Sequence, residues 1–424
     1  MKIIIVNTFA YGGGAAIASR RLMFALRKNG VDANMLVRDK QNDDDDTISV
    51  NGSPFRRRLN FFRFVWERVV IWVNNGFSRK NLFTVSIADT GMDISKCPEV
   101  LEADVIHLHW INQGFLSLKN IQELVGLGKP IVWTMHDMWP CTAICHLART
   151  CTNFKSSCNN CPYLKFPGKH DLSARVWKKK RFLNESRISF VTVSSWLQTQ
   201  VRESSLTNRL SVSVIPNTLD LSVFYPRNRE EARQRLQILP TDNVIVLGAC
   251  KLDDPLKGFD FLLSVLALSN ASEMGSYLLV LFGNIKGDKH EFFRNMPCRY
   301  RYMGGIETMN ELAEIYSAAD ITVVPSDYET FGQTIIESMA CGVPVVTFGN
   351  SGQKDIITHK QDGYLAEYKN KADFLQGIRW CLTETGDILV KENIRNKVAC
   401  NYSEDKVAEK YITLYQALVD KNND

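Results

Sequence analysis

No uninterrupted apolar run in this chain approaches the roughly 20 residues that a membrane-crossing helix requires. The opening stretch Met1-Lys2-Ile3-Ile4-Ile5-Val6 is too short for a secretory signal and reads as a first buried strand, so the expected location is the cytoplasm. An excess of one charge is missing as well. The 51 Lys and Arg residues nearly balance the 46 Asp and Glu, leaving +5, and nucleic acid is not an expected partner. No long-period repeat is present, which excludes a solenoid. The only low-complexity run, Asp43 to Asp46, reads as a solvated loop. A glycine is also missing. Gly12-Gly13-Gly14 follows the first strand, but Ile17 stands where a dinucleotide fingerprint needs its third glycine, which argues against a nicotinamide cofactor.

What is present is an ordinary globular balance, 45% apolar and 23% charged, in 424 residues. That length suits two or three domains. Strand-like runs fall at 2–7, 33–37, 105–109, 131–135 and 190–193, then at 244–249, 277–282, 321–324, 343–348 and 363–366. Helical periodicity lies between many of them, as at 15–29, 259–269, 309–319 and 371–383. Such alternation predicts parallel sheets with helices on both faces, in two Rossmann-like units.

The most informative stretch runs from Pro325 to Val346. An apolar strand leads into Glu329-Thr330-Phe331-Gly332-Gln333, a strand-to-helix turn. Glu337 follows on the helix, which ends at Cys341-Gly342 before Pro344. A helix N-terminus suits a diphosphate. Glu329 and Glu337 can accept hydrogen bonds from sugar and ribose hydroxyls. The expected ligand is a nucleotide-sugar.

This Glu-x7-Glu pattern, framed by Pro-Ser before it and Met-Ala-Cys-Gly-Val-Pro-Val-Val after it, resembles family 4 of the retaining glycosyltransferases. The resemblance implies the GT-B fold, an α/β architecture of two facing Rossmann-like domains with an interdomain cleft. It implies that Glu329 faces the donor sugar and Glu337 binds the nucleotide ribose. Ile215-Pro216-Asn217-Thr218-Leu219-Asp220 is similar to the family's Pro-Asn-Gly-x-Asp linker, with Thr218 in place of Gly. The expected domains are therefore 1–216, on the acceptor side, and 217–402, on the nucleotide-sugar side. A terminal helix within 403–424 would return to the first domain.

Lys257-Gly258 resembles the family's Lys-Gly element, whose Lys neutralises the leaving diphosphate. The cation that usually precedes it is replaced by Ala249, with Lys251 the nearest substitute. Gly13 and Gly14 correspond to the glycine-rich loop beside the donor diphosphate; a tight turn without ligand is the plainer alternative. Phe331, Gly332 and Gln333 supply backbone amides at the donor. His136, after the strand 131–135, matches a family His that contacts the donor sugar. Asp137 would orient that imidazole or reach the acceptor. His109 shares one strand face with His107 and would also lie toward the acceptor. Glu329, His136 and Lys257 are the expected catalytic residues, and no catalytic metal is required.

Two segments stand apart. Cys145, Cys151, Cys158 and Cys161 fall close together and end in Cys-x2-Cys, beside His146. Structural zinc, reduced thiols and disulfides are all compatible with the spacing, with zinc the expectation in a cytosolic chain. Similar inserts occur in a subset of the family that builds bacterial surface polysaccharide. Residues 55–80 are basic and aromatic, with a narrow polar stripe at Arg56, Asn60, Arg63, Glu67 and Asn74. They suit a helix at a membrane interface or, alternatively, a core helix with one solvated stripe.

The resulting expectation is a hexosyltransferase. It would move one sugar, with retention, to a glycan or polyprenyl-linked glycan of a bacterial polysaccharide, and a peripheral position at the inner membrane face would suit such an acceptor. Alternatives are a GT-B epimerase or phosphorylase, or a non-catalytic subunit of a glycan-assembly complex.

Overall fold

The computed structural model describes residues 1–40 and 46–423. Asp43–Asp45 of the acidic run lie outside the described residues. The chain folds as two compact units, Met1–Pro216 together with the segment from Val407 onward, and Asn217–Lys406.

Among the described residues the first unit holds seven strands: β1 (Lys2–Phe9), β2 (Asp32–Asp39), β3 (Thr47–Ser49), β4 (Val105–Leu108), β5 (Ile131–Met135), β6 (Ile188–Thr192) and β7 (Val212–Val214). They form one parallel sheet in the order β3-β2-β1-β4-β5-β6-β7. The central strands are buried along nearly their whole length, as covered parallel sheets require. Leu22, Met23 and Leu26 of the helix Gly14–Lys28 pack on Ile3, Ile5 and Met35. Val407, Ala408, Tyr411 and Tyr415, on the terminal helix Glu404–Asn423, complete the same core.

The second unit holds β8 (Asn243–Lys251), β9 (Tyr277–Asn284), β10 (Arg299–Tyr302), β11 (Ile321–Val324), β12 (Val345–Phe348) and β13 (Gly363–Ala366). Its sheet is also parallel, in the order β10-β9-β8-β11-β12-β13. Leu262, Val265 and Leu266 from one helix and Phe374, Leu375 and Ile378 from another share a single core.

Each strand order reverses once. The reversal lies between β1 and β4 in the first unit and between β8 and β11 in the second. At such a switch the connecting helices run to opposite faces and leave a crevice at the strand C-termini. Gly13, His109, His136, Lys257 and Glu329 follow the ends of β1, β4, β5, β8 and β11. The helix expected within 55–80 spans Pro54–Asn74.

Candidate active site

In the second unit two turns build the site. After β8, Asp254 accepts from the Leu256 amide at 3.0 Å and starts the short turn Pro255–Lys257. Gly258 follows at φ 74°, where a Cβ would lie 2.0 Å from the Pro325 carbonyl oxygen. Only glycine lets this turn lie against the end of β11. The Asp327 amide donates to the Leu256 carbonyl at 2.9 Å and ties the two connections together. Lys257 Nζ therefore reaches Glu329 Oε1 at 2.7 Å, with a third of the lysine and a fifth of the glutamate side chain exposed. Burial pulls the Lys257 pKa down, but the Glu329 charge and hydrogen bond outweigh it, and the net shift is upward.

Glu329 is held from behind. Its amide donates to Ser351 Oγ at 3.0 Å and its carbonyl accepts from the Gly352 amide at 2.8 Å. A Cβ on Gly352 would lie 2.1 Å from the Thr330 oxygen. The chain then turns at Gly332, φ 121°, which has no side chain to cap the helix Gln333–Ala340. Phe331 is 3% exposed and packs edge-on against Tyr402, ring centroids 5.7 Å apart. Burying a side chain of this size stabilises by about 1.5–3 kcal/mol, so its ring anchors the turn. Glu337, 6% exposed, accepts from Tyr316 OH at 3.4 Å. Lys251 is exposed at the last position of β8, past an irregularity after Gly248, and no hydrogen bond or ion pair ties it to Lys257 or Glu329 among the described residues.

In the first unit the corresponding crevice begins at Gly12 and Gly13, φ 81° and 89°, which open the helix Gly14–Lys28. A Cβ on Gly13 would meet nothing within 4 Å. Its φ, and not crowding, is what calls for glycine. The end of β1 is tied to the end of β4: the Thr8 amide donates to the Trp110 carbonyl at 2.7 Å, and the Trp110 amide to Asn7 Oδ1 at 2.8 Å.

Past β5, His136 Nε2 and His109 Nδ1 share a hydrogen bond of 2.8 Å, their rings stacked at 5.1 Å. His109 is 3% exposed, so it lies beneath His136 as its support and not at an acceptor surface. His107 is fully buried, held by Thr134 Oγ1 at 2.8 Å and by Tyr415 OH at 2.7 Å. Burial pushes the His136 pKa down to about 4 and that of His107 to about 3, so both rings are neutral near pH 7.

Asp137 has a partner that the sequence did not point to: its Oδ2 lies 2.7 Å from His146 Nδ1. Its oxygens also accept from Trp110 Nε1 at 2.9 Å and the Trp139 amide at 2.8 Å. Burial raises its pKa, but the His146 interaction and these bonds outweigh it, leaving the carboxyl below its ordinary range. With these contacts made, Asp137 acts as a brace for its loop.

Cys145, Cys151, Cys158 and Cys161 line one cavity of about 20 Å³ and are all free thiols. Burial pushes the Cys158 thiol up to about 11 and Cys161 to about 12. Among the described residues no group of three or more His, Cys, Asp or Glu side chains is arranged to hold a metal ion. The loop is braced by Lys180, fully buried, whose Nζ donates to the Trp139 carbonyl at 2.6 Å and to the Thr142 carbonyl at 3.0 Å. Ser351, Gly352, Tyr411 and Tyr415 escaped sequence reading, as did the pairing of His146 with Asp137. The Asn350-Ser351-Gly352 turn after β12 was the one local signal for any of them.

A profile described as Glycosyltransferase Family 4 matches residues 12–223, half of the chain, and one described as Glycosyl transferases group 1 matches residues 228–398. A D-inositol 3-phosphate glycosyltransferase of Geodermatophilus obscurus is 27% identical over 287 residues, 65% of this chain and 58% of that protein. A second so named, from Segniliparus rotundus, is 29% identical over 201 residues, 44% of each chain. The chain thus spans about half the length of these relatives. Among solved structures, sucrose-phosphate synthase from Thermosynechococcus elongatus superposes with a TM-score of 0.69 at 20% identity, covering 99% of this chain and 100% of its own. Anabaena HepE in complex with UDP-glucose gives 0.64 at 15% identity, covering 98% and 100%. At these identities the likeness is one of fold, and the fold is GT-B. On the family profiles, the chain belongs to glycosyltransferase family 4.

Proposed function

We propose that the chain is a retaining glycosyltransferase. It moves a hexose from a nucleoside diphosphate sugar to a hydroxyl of a glycan or lipid-linked glycan, in the assembly of a bacterial surface polysaccharide such as O-antigen, capsule or exopolysaccharide. The observation that carries this reading is the Lys257–Glu329 pair, 2.7 Å across, at the strand switch of the second unit. A lysine held charged by a carboxylate is a cation in waiting. When a diphosphate enters, the ammonium transfers its hydrogen bonds to phosphate oxygens, and Glu329 is released to accept from the sugar hydroxyls. The Gly332 turn brings the start of the helix Gln333–Ala340 to the same anion. His136, neutral, supplies a hydrogen bond to the sugar. Glu337 accepts from the ribose.

Transfer then needs no enzymic nucleophile. The bond from the anomeric carbon to the diphosphate oxygen breaks as the acceptor oxygen bonds to the same face, and the departing phosphate oxygen takes the acceptor proton. The names of relatives support the sugar donor: HepE was solved with UDP-glucose, and the curated relatives are named as glycosyltransferases. The reading places the protein at the inner face of a membrane, where a lipid-linked acceptor is presented.

A thermal-shift panel of nucleotide-sugars tests this. One donor should raise Tm by several degrees through mass action, and Lys257→Ala should abolish that rise. Shifts indifferent to Lys257 would contradict the site.

A further inference from the structure

Helices on globular proteins turn their apolar residues inward and their charges to water. The helix Pro54–Asn74 does the reverse. Asn60 and Glu67, from the polar stripe, are buried together with Arg68 and Ile71. Glu67 Oε1 accepts from the amides of Ile87 and Ala88 at 2.8 and 3.0 Å. Arg68 Nη1 donates to the Val85 carbonyl at 3.1 Å. Gly114, at φ 77°, presses against the helix so closely that a Cβ would lie 2.7 Å from the Phe64 amide nitrogen. These contacts fix the helix about its axis. Turning it over would leave a buried carboxylate and guanidinium without partners.

The opposite side is apolar. Phe55, Leu59, Phe62, Trp66, Val69 and Val73 recur at alternating four- and three-residue spacing, which is one continuous helical stripe, and all six are exposed. Phe62 is 65% and Trp66 59% exposed. Within the segment that carries the stripe, the exposed charge has one sign. Between Thr47 and Ala88 the only acidic residue is Glu67, which is buried, while Arg56, Arg57, Arg58, Arg79 and Lys80 are exposed at the two ends of the helix. Asp89 lies beside Trp66, and burial and then Glu67 push its carboxyl above the ordinary range. No helix among the described residues is long and apolar enough to cross a membrane, so this one would lie along a surface.

We infer that this stripe docks the protein on a lipid bilayer carrying anionic headgroups, the aromatic side chains entering the interface and the flanking arginines meeting the lipid charge. A second copy of the chain fits less well, because pairing two such faces would bring like charges together.

Vesicle sedimentation with the full chain tests the inference. Wild type should bind phosphatidylcholine vesicles containing about 30% phosphatidylglycerol at least about tenfold more tightly than pure phosphatidylcholine. The preference should fall in about 0.5 M salt. Phe62→Ser with Trp66→Ser, and separately Arg56→Gln with Arg57→Gln and Arg58→Gln, should each weaken binding about tenfold or more while Tm moves by no more than about 2 °C, since all five residues are exposed. Failure of wild type to bind anionic vesicles, or full binding by both variants, would overturn the inference. So would light scattering that shows a dimer broken by the aromatic variant in a protein that ignores vesicles. Binding is read without donor or acceptor, so its failure leaves the transfer reading standing.

Discussion

Lys257 and Glu329 are 72 residues apart in the chain and meet at 2.7 Å. A partly exposed ion pair contributes only about 0–1 kcal/mol to stability, too little to account for two glycine-dependent turns built around it. Gly258 and Gly352 each sit where a Cβ would strike a carbonyl oxygen, and together they hold the pair in place. That expense in backbone geometry is the physical argument for function. Glu329→Gln should lower turnover by about a hundredfold or more with donor affinity nearly kept, because the contact matters most as the sugar departs. Glu337→Ala should weaken nucleotide binding by about tenfold or more, through loss of one charge-assisted hydrogen bond. Steady-state kinetics and calorimetry separate the two effects, and wild-type values in both variants would remove the assignment. The buried histidines make a further prediction. His107 and His136 titrate near 3 and 4 in the folded chain against an ordinary 6.5. A folded pKa below the unfolded one gives stability that is complete above about pH 6.5 and is lost as pH falls toward about 4. Tm should drop by several degrees across that window, and His107→Gln, which cannot take up the proton, should flatten part of the slope. A pH-independent Tm would contradict the burial argument. Glu329, Glu337, Lys257 and His136 could be named as candidates from sequence because each lies in a local pattern after a strand. His146 and Ser351 could not be tied to Asp137 and Glu329, because only the folded chain brings them there.

At the scale of elements, the central strands were legible because both faces are covered and their sequences are continuous apolar runs, as in Ile131–Met135 and Ile321–Val324. The three strands that sequence reading missed, Thr47–Ser49, Val212–Val214 and Arg299–Tyr302, all lie at sheet edges. There one side is paired and the sequence is short or charged, so no apolar run announces them. The helix Pro54–Asn74 was legible as a helix but not in its orientation. Periodicity defines two faces and cannot say which one the body covers; the bonds of Glu67 to Ile87 and Ala88 decide that. The cysteine loop carries a separate proposal, a structural zinc ion at Cys145, Cys151, Cys158 and Cys161. Their thiols share a cavity without standing as a ligand set, so zinc binding would require them to rotate inward and lose protons. Elemental analysis of protein purified without chelator should then find about one zinc per chain. Less than about 0.2, with four titratable thiols, would leave a thiol-lined loop braced by Lys180.

At the scale of the molecule, one topological rule operates twice. Each unit is a parallel sheet whose order reverses once, and each set of candidate residues sits beside the reversal: Gly13, His109 and His136 in one unit, Lys257 and Glu329 in the other. The alternation of strands and helices made this architecture readable in advance. The terminal helix begins at Glu404 in the second unit and contributes to the first core from Val407. If Lys257 and the Gly332 turn neutralise the diphosphate, transfer should persist in excess EDTA; loss restored by Mg²⁺ or Mn²⁺ would show that the leaving-group chemistry is misassigned. The most direct test of the whole reading is nucleoside diphosphate release from the stabilising nucleotide-sugar, measured with and without a lipid-linked glycan acceptor. The account predicts release that depends on acceptor and yields a glycoside of the donor's own anomeric configuration. Release at the same rate without acceptor, or a product of inverted configuration, would contradict it.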